Sequence, residues 1–273
     1  MITSVANSKV HLLRSLATKR GRRESGLFLV EGIRLMLDAL QAGAIPDLVL
    51  IDATLITSSS ALQRVVSECE HRRISIEEAT SPVLESISEV QQHQGVVAAF
   101  PIHPARHRPR RQHSLLNDSA LLLDCVADPG NAGTMLRSAA AAGLEHVYFT
   151  AASVDAFQPK VVRAAAGAHF WLDIHLGFQW EEDSSAPLSL LPCYLADAHH
   201  GRAPWQLSLK DPFCLIIGSE AHGHSAASKR AAQEFIRIPL PGHAESLNAA
   251  VATSIVLFEA VRQRLSEVRS GPS

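Results

Sequence analysis

The chain has few cysteines, and their spacing excludes two kinds of structural site. Only four occur among 273 residues: Cys69, Cys125, Cys193 and Cys214. No two of them form a C-x-x-C pair, which argues against a zinc knuckle and against a disulfide framework. We therefore expect reduced, buried thiols and no metal, as is usual for a cytosolic protein.

Long apolar runs and a strong charge of either sign are also missing. No run of 18 or more apolar residues indicates a membrane span, and the first residues, MITSVANSKV, lack the apolar stretch of a signal peptide. These features predict a cytoplasmic protein without a membrane partner. Because the formal net charge is only −2, any surface that binds nucleic acid must be a local patch.

Basic residues are concentrated in two places. One N-terminal run without an acid contains Lys9, Arg14, Lys19, Arg20, Arg22 and Arg23. A second cluster consists of Arg106, Arg108, Arg110 and Arg111. Taken alone, each cluster is explained as well by a solvated face or a linker as by a nucleic-acid surface.

The chain reads as two α/β domains joined by a linker. In the first hundred residues, apolar strands are predicted at Leu27–Val30, Leu48–Ile51 and 94–100, and helices at Ile33–Ala42 and 60–71. Residues 101–114 contain three prolines and four arginines without apolar periodicity, which is typical of a linker. We therefore predict domains at 1–105 and 116–273 with a linker at 106–115.

The second domain alternates strands and helices. Strands are predicted at Leu121–Val126, His146–Thr150, Cys193–Ala196, Phe213–Gly218 and Phe235–Pro239. Helices are predicted at Ala132–Ala142, Pro159–Ala166, Ser225–Ala232 and Leu247–Val268. This alternation predicts a parallel sheet covered on both faces, with ligands bound beyond the carboxyl ends of the strands.

Three loops that follow these strands carry polar residues. In the first, Asn131 is a candidate helix cap, and Arg137 follows in a small, apolar helix where it needs a solvent exit or a partner. In the third, Ser246 is the expected cap of the long helix, with Asn248 in its first turn.

The second loop, GSEAHG, has the glycine spacing of a phosphate loop. His224 stands where that loop needs lysine, which argues against nucleoside triphosphate binding. His222 and His224 lack an evident third metal ligand. Neither G-x-G-x-x-G nor G-x-S-x-G occurs, so dinucleotide binding and a serine hydrolase elbow are unsupported.

Together the loops resemble the motifs of a known family. DPGNAGTMLRSAAAAG, LIIGSEAHG and IPLPGHAESLNAAVA are similar, in order and spacing, to motifs one to three of the SpoU/TrmH RNA ribose methyltransferases of the SPOUT superfamily. The resemblance covers about residues 118–265. RESGLFLVEGIRLMLDAL is similar to the RNA-binding extension of a branch that acts on large-subunit ribosomal RNA.

The resemblance implies a fold, a cofactor and a reaction. It implies a trefoil-knotted parallel-sheet SPOUT domain, a smaller N-terminal α/β RNA-binding domain resembling a ribosomal protein, and a homodimer formed through the SPOUT domain. It implies that S-adenosylmethionine is the cofactor and that its methyl group is transferred to a ribose 2′-hydroxyl. This hydroxyl is present in RNA and absent from DNA.

The resemblance also implies roles for individual residues. The cofactor site matches Gly218, Ile238 and Leu247, with Ala196 and Asp197 as further contributors. The reaction centre matches Asn131, Arg137, Glu220, Ser246 and Asn248. Arg14, Lys19, Arg20, Arg22 and Arg23 become the expected RNA contacts. Arg137 is often assigned as the base in this family, but a guanidinium is essentially always protonated, so it could instead hold a phosphate or the reacting oxygen.

Several alternatives remain open. Transfer RNA is the main alternative substrate to ribosomal RNA, although the separate N-terminal domain favours the latter. The complete set of polar residues argues against a non-catalytic RNA-binding protein of ribosome assembly. Methylation of a base is disfavoured because base-methylating relatives carry different motifs. A housekeeping role and a role in antibiotic resistance would use the same chemistry.

Overall fold

The computed structural model describes residues 1–89, 93–102, 115–182, 187–219 and 223–270. Its internal contacts divide the chain into two compact units. The N-terminal unit comprises Met1–Arg110 and Phe157–Phe170, and the C-terminal unit comprises Arg111–Ala156 and Trp171–Ser273. The predicted domains differ from these units at Phe157–Phe170, which the prediction placed in the second domain.

Helices and strands alternate along much of the chain. The helices are α1 (Ser8–Ser15), α2 (Lys19–Ser25), α3 (Ile33–Gln41), α4 (Ala53–Ile56), α5 (Ser60–His71), α6 (Ser81–Ile87), α7 (Pro129–Ala142), α8 (Pro159–Ala165), α9 (Ala226–Ala231) and α10 (Ala249–Ser270). The strands are β1 (Leu27–Glu31), β2 (Leu48–Asp52), β3 (Glu77–Ala79), β4 (Val96–Pro101), β5 (Leu116–Asp124), β6 (Leu144–Thr150), β7 (Asp173–Phe178), β8 (Cys193–Ala196), β9 (Cys214–Gly218) and β10 (Glu234–Ile236). None of these helices, within the residues described, is long and apolar enough to cross a membrane.

The N-terminal unit contains a mixed four-stranded sheet. The strand order is β1-β4-β2-β3, with β4 antiparallel to both of its neighbours and β3 parallel to β2. The predicted strands and helices of this region are confirmed to within a few residues at each end. The helices α1 and α2 were not predicted. Each buries only a few side chains, so neither shows a clear apolar periodicity in the sequence.

An aromatic cluster explains why Phe157–Phe170 belongs to the N-terminal unit. The ring of Phe28 on β1 lies 5.1 Å from that of Phe157, and the ring of Phe100 on β4 lies 5.0 Å from that of Phe170. All four rings are buried. Burial of several aromatic side chains is a large apolar contribution, so this segment stabilises the first sheet.

The C-terminal unit contains the predicted parallel sheet, which has six strands where five were predicted. Its order is β10-β8-β9-β5-β6-β7, and every neighbouring pair is parallel. The strand β7 was not predicted, because several of its residues are polar or exposed. The predicted strand at Phe235–Pro239 is observed as Glu234–Ile236, and the next N–H, that of Arg237, donates to the Arg202 carbonyl at 3.0 Å.

The strand order reverses direction at the middle of this sheet. From β5 the chain moves outward through β6 and β7, and it then returns to place β9, β8 and β10 on the other side of β5. In parallel sheets, a crevice for ligands forms beyond the carboxyl ends of the strands at such a reversal. The ends of β5 and β9 therefore mark the expected site.

Candidate active site

The three motif loops begin at the same edge of the second sheet. Asp124, the last residue of β5, is paired with Gly218, the last residue of β9. On the other side of β9, Ala196 at the end of β8 is paired with Ile236 at the end of β10. Since all four strands are parallel, the loops that follow them leave from one edge.

The first loop turns directly into α7, and Asp128 is its cap. The Asp128 Oδ1 atom accepts a hydrogen bond from the backbone N–H of Asn131 at 2.7 Å. The expectation that Asn131 caps this helix is therefore wrong. Pro129 occupies the first helical position, which it suits because it lacks an N–H, and this makes Asn131 the third residue of the first helical turn.

Asn131 instead meets the third loop. The Asn248 Nδ2 group donates to Asn131 Oδ1 at 2.8 Å. The structure thus brings together two of the predicted reaction-centre residues, which are separated by 117 positions in the sequence.

Asn248 also caps the long helix α10. Its Oδ1 atom accepts from the backbone N–H groups of Ala250 and Val251 at 2.9 and 3.3 Å. The expectation that Ser246 is the cap is wrong, because the helix begins at Ala249, three residues later. Ser246 is exposed in the loop immediately before it.

The helices α7 and α10 pack together along their small residues. The hydroxyls of Ser138 and Ser254 are hydrogen bonded at 2.7 Å, seven residues beyond Asn131 and six beyond Asn248. At 1.5 Å per residue, the Ser138–Ser254 contact therefore lies about equally far along each helix from the Asn131–Asn248 contact. The helices therefore run in the same direction, and both N-termini lie at the motif loops.

Arg137 reaches solvent from α7. It is exposed, and no hydrogen bond or ion pair is assigned to it within the described ranges. Exposure to solvent therefore explains how this charged side chain is accommodated in a helix of mostly small, apolar residues. Its guanidinium is available to an anionic or polar ligand.

The second loop is held tightly at Gly218. The backbone groups of Ser219 and Gly223 exchange hydrogen bonds of 3.0 and 2.8 Å, and Ser225 N–H donates to Asp124 Oδ2 at 2.6 Å. A Cβ atom at Gly218 would lie 2.8 Å from the Gly223 carbonyl oxygen. Glu220 and His222, two of the residues considered in this loop, lie outside the described residues.

Two ionisable residues next to the site have shifted pKa values. Burial lowers the pKa of His224, and the carboxylates of Asp124 and Asp197 only partly oppose this. Burial alone would raise the pKa of Asp197, but hydrogen bonds from the backbone N–H groups of His199 and His200 outweigh it and lower the pKa. At neutral pH the lowered pKa values therefore leave a neutral His224 imidazole near the Asp197 carboxylate.

The residues expected to bind the cofactor occupy this edge or its loops. Gly218 is buried at the end of β9, and Ala196 and Asp197 are half-buried at the end of β8. Ile238 and Leu247 are half-buried in the third loop. Among the residues that the structure describes, no group of three or more histidine, cysteine, aspartate or glutamate side chains could hold a metal ion.

The expected RNA-contacting residues lie in the N-terminal unit, Arg14 on α1 and the other four on α2. Arg14, Lys19, Arg20 and Arg23 are exposed. Arg22 is only 3% exposed, and its Nη1 group donates to the Leu16 carbonyl at 2.6 Å. Arg22 is therefore corrected to a structural residue, because a buried guanidinium bonded to backbone does not face solvent. The second basic cluster, at 106–111, lies outside the described residues.

Sequence reasoning missed three polar residues that organise the site. Asp124 is fully buried and anchors the second loop, Asp128 caps α7, and His224 packs against Gly218. A charged residue at the end of an otherwise apolar strand, LLLD, was the available signal for Asp124. Nothing in the spacing alone distinguished Asp128 from Asn131 as a cap.

Comparisons with known protein families agree with this arrangement. The SpoU rRNA Methylase family matches residues 118–258. The MRM3-like substrate binding domain matches residues 7–98. Two separate families thus account for most of the chain.

Individual relatives extend over nearly the whole chain. The 23S rRNA (guanosine(2553)-2′-O)-methyltransferase RlmP of Bacillus subtilis is 31% identical over 262 residues, covering 94% of this chain and 97% of that protein. The mitochondrial rRNA methyltransferase 3 of Homo sapiens is 30% identical, covering 89% of this chain and 69% of that protein.

A solved structure shows the same architecture. The AdoMet-bound rRNA methyltransferase from Sinorhizobium meliloti is 30% identical, with a TM-score of 0.77, covering 96% of this chain and 97% of that chain. On the match of its second half and the similarity of its full length to these enzymes, this chain belongs to the SpoU rRNA Methylase family.

Proposed function

We propose that this protein is an S-adenosylmethionine-dependent methyltransferase that modifies a ribose 2′-hydroxyl of ribosomal RNA. The observation that carries the proposal is the hydrogen bond between Asn131 and Asn248, which joins the first and third motif loops at the carboxyl edge of the parallel sheet. The relatives RlmP and the Sinorhizobium enzyme are named as rRNA methyltransferases, which supports the choice of substrate.

The edge of the sheet fits S-adenosylmethionine chemically. Ala196, Ile238 and Leu247 supply half-buried apolar surface, and Gly218 lies buried at the end of β9. The Nε2 atom of His224 is buried without a hydrogen-bond partner among the described residues. Apolar surface with a few backbone and side-chain polar groups is the usual lining of a cofactor site. When bound, the cofactor supplies an electrophilic methyl group on a good leaving group.

The protein must then activate and position a weak nucleophile. A ribose hydroxyl has to be held in line with the methyl group while its proton is removed. Asn131, Asn248 and Ser246 offer polar groups at the loops, and Arg137 offers an exposed guanidinium. Glu220 belongs to the proposed set by its position in the second motif. We assign Arg137 to gripping the target phosphate or the reacting oxygen, because its guanidinium stays protonated.

The N-terminal unit supplies the proposed RNA surface. Arg14, Lys19, Arg20 and Arg23 present exposed cations within one short stretch. Cations that neutralise phosphates give most of their affinity through counterion release. The match of residues 7–98 to a substrate-binding domain supports this assignment.

We also propose a homodimer formed through the C-terminal unit. The small residues of α10 are used within the chain, where Ala250 and Thr253 are buried and Ser254 bonds to α7. A separate apolar stripe remains exposed on α10: Val251 47%, Ile255 36%, Phe258 48% and Leu265 43%. Spacings of three, four and seven place these side chains on one face, and exposed apolar stripes of this kind favour association.

The knot and the location follow from the same proposal. The chain after β8 lies along β10, where Asp197 N–H donates to the Ile236 carbonyl at 2.8 Å and Arg202 N–H to the Phe235 carbonyl at 3.0 Å. The proposal of a trefoil knot at this edge rests on the match of residues 118–258 to the SpoU rRNA Methylase family. An enzyme of ribosomal RNA in a bacterial-type family is proposed to act in the cytoplasm.

Ligand binding tests the cofactor part of the proposal. S-adenosylhomocysteine at 100 times its dissociation constant should stabilise the native state by about 2.7 kcal/mol. A rise in melting temperature that depends on ligand concentration is the expected result. A folded protein whose melting temperature is the same at millimolar S-adenosylhomocysteine would contradict the proposal. Transfer RNA is the second candidate substrate, to be compared directly with ribosomal RNA in the methylation assay.

A further inference from the structure

The imidazole of His224 lies at the end of the central strand β9. A Cβ atom at Gly218, the last residue of that strand, would be 2.7 Å from the His224 Cδ2 atom. Asp124, at the end of β5, and Asp197, directly after β8, both act electrostatically on His224. Because β9 lies between β5 and β8, the ring stands in the crevice where the strand order reverses.

The backbone on both sides of His224 is held in place. The N–H group of Gly223 donates to the Ser219 carbonyl at 2.8 Å, and the N–H group of Ser225 donates to Asp124 Oδ2 at 2.6 Å. Ser225 is also the N-cap of α9. With its neighbours fixed in this way, the imidazole is positioned before any ligand arrives.

The His224 ring carries a hydrogen-bonding atom that no described residue satisfies. Its Nε2 atom is buried without a partner, and Cδ2, the ring atom bonded to it, lies against Gly218. Burial lowers the pKa of His224, so the ring is neutral at neutral pH and Nε2 can either donate or accept one hydrogen bond. A buried polar atom without a partner costs stability. Because solvent does not reach this atom, only a group that enters the crevice can satisfy it.

We propose that His224 is a cofactor-binding residue whose Nε2 atom forms a hydrogen bond to the adenosine part of S-adenosylmethionine. This inference rests on the proposed function, because it needs the cofactor to bind at the ends of β8 and β9. It explains why the chain keeps a destabilising buried nitrogen at this edge, since binding of the cofactor removes the penalty.

The surroundings of the ring favour adenosine over the amino-acid end of the cofactor. Ala196, Ile238 and Leu247 are apolar and half-buried at this edge, which suits a flat adenine ring. The Asp197 carboxylate, which acts on His224, would repel the carboxylate of the amino-acid end. A neutral imidazole carries no charge with which to offset that repulsion.

Two substitutions separate hydrogen bonding from packing. Methionine is an adaptable apolar filler, so His224→Met removes the hydrogen bond and the unsatisfied atom together. Glutamine carries an amide that can donate or accept at about the reach of Nε2, so His224→Gln retains the hydrogen bond. His146→Met is the matched control, because His146 lies near the amino end of β6, away from the carboxyl edge.

The proposal predicts opposite effects of His224→Met on cofactor affinity and on stability. The dissociation constant for S-adenosylhomocysteine, measured by titration calorimetry, should rise about tenfold, as for the loss of one buried hydrogen bond. Without ligand, the melting temperature should lie about 2–4 °C above that of the wild type, because the unsatisfied atom is gone. His224→Gln and His146→Met should bind S-adenosylhomocysteine within about threefold of the wild type.

A ring that only fills space predicts the reverse pattern. In that case His224→Met would lower the melting temperature through poorer packing and leave the dissociation constant unchanged. That result overturns the inference.

A second ligand tests which part of the cofactor is bound. The compound 5′-methylthioadenosine contains the adenosine part and lacks the amino-acid end. If Nε2 bonds to adenosine, His224→Met should raise the dissociation constants of S-adenosylhomocysteine and 5′-methylthioadenosine by the same factor. A loss of affinity confined to S-adenosylhomocysteine would overturn the assignment to adenosine.

A measurement on the wild type does not depend on how well the variants pack. With 15N-labelled histidine, the ring signals of His224 are those missing from the spectrum of His224→Gln. The Nε2 signal should shift when S-adenosylhomocysteine is added, because that nitrogen gains a hydrogen bond. An unmoved Nε2 signal in ligand-saturated protein overturns the inference.

Failure of the inference is distinguishable from failure of the proposed function. A wild type that binds S-adenosylhomocysteine and methylates RNA, together with a His224→Met variant of equal affinity, overturns the inference alone. A folded wild type that neither binds S-adenosylhomocysteine nor methylates RNA overturns both. Weaker binding of both adenosine ligands by a more stable His224→Met variant supports the inference.

Discussion

Gly218 lies where a side chain would collide with the second motif loop, and its replacement by alanine measures how tightly that loop is held. The added Cβ atom would lie 2.7 Å from His224 Cδ2 and 2.8 Å from the Gly223 carbonyl oxygen. The imidazole could rotate away, but the Gly223 backbone is fixed by its two hydrogen bonds to Ser219. Overpacking of this kind costs typically about 1–3 kcal/mol.

The Gly218→Ala variant should therefore be less stable and bind the cofactor less well. At roughly 2–4 °C per kcal/mol for a domain of this size, its melting temperature should fall by several degrees. Titration calorimetry should show weaker S-adenosylhomocysteine binding, because the displaced backbone belongs to the proposed pocket. Gly242→Ala is the matched control, since a Cβ there meets nothing within 4 Å. Equal stability and cofactor affinity of Gly218→Ala and Gly242→Ala would refute this reasoning.

Three other predictions concern exposed residues, and the buried Arg22 serves as a control for the second of them. Arg137→Ala should lose turnover while it retains cofactor affinity, and Arg137→Lys should keep partial activity only if the residue grips phosphate as a simple cation; near-normal turnover of Arg137→Ala would remove it from the reaction centre. Replacing Arg20 and Arg23 by glutamine should reduce the salt dependence of RNA binding by about 0.7–0.9 in slope for each lost phosphate contact. Arg22→Ala should lower stability and leave that slope unchanged. Phe258→Asp should shift light scattering from about 59 kDa, twice the 29.5 kDa chain mass, toward the monomer; an unchanged mass would exclude α10 from the interface.

The parallel sheet of the C-terminal unit was predictable because its strands are apolar and separated by clear turn residues. Cys193–Ala196 is observed with the predicted limits, and β9 begins one residue later than predicted. Strand β7 was missed because it has exposed positions and lacks the continuous apolar pattern of its neighbours. Composition identifies strands that are buried on both faces more readily than partly exposed strands.

The candidate site was predictable as a set of residues but not as a set of contacts. Motif order located Asn131 and Asn248, yet both helix caps were assigned to the wrong residues. Aspartate, asparagine and serine all cap helices well, so composition could not choose between Asp128 and Asn131, or between Ser246 and Asn248. The choice depends on where each helix begins, which neighbouring packing decides.

The two compact units illustrate a limit of reading a chain in order. Phe157 and Phe170 follow the predicted linker, but their rings pack with Phe28 and Phe100 of the N-terminal unit. The sequence does not indicate which unit these rings pack in, because a buried aromatic residue could belong to the hydrophobic core of either unit. Removal of residues 1–105 would strip these rings of their partners, so the domains predicted from the linker should not be assumed to fold separately.

The most direct test of the proposed function is methyl transfer to RNA. The protein should be incubated with methyl-labelled S-adenosylmethionine and unmodified ribosomal RNA in one reaction, and with the same cofactor and unmodified transfer RNA in another. The products should then be mapped for 2′-O-methyl nucleotides. The proposal predicts label at one or a few ribose 2′-oxygens of large-subunit ribosomal RNA, and none with Arg137→Ala. Label on a base, or label confined to transfer RNA, would contradict the proposed reaction or its proposed substrate respectively.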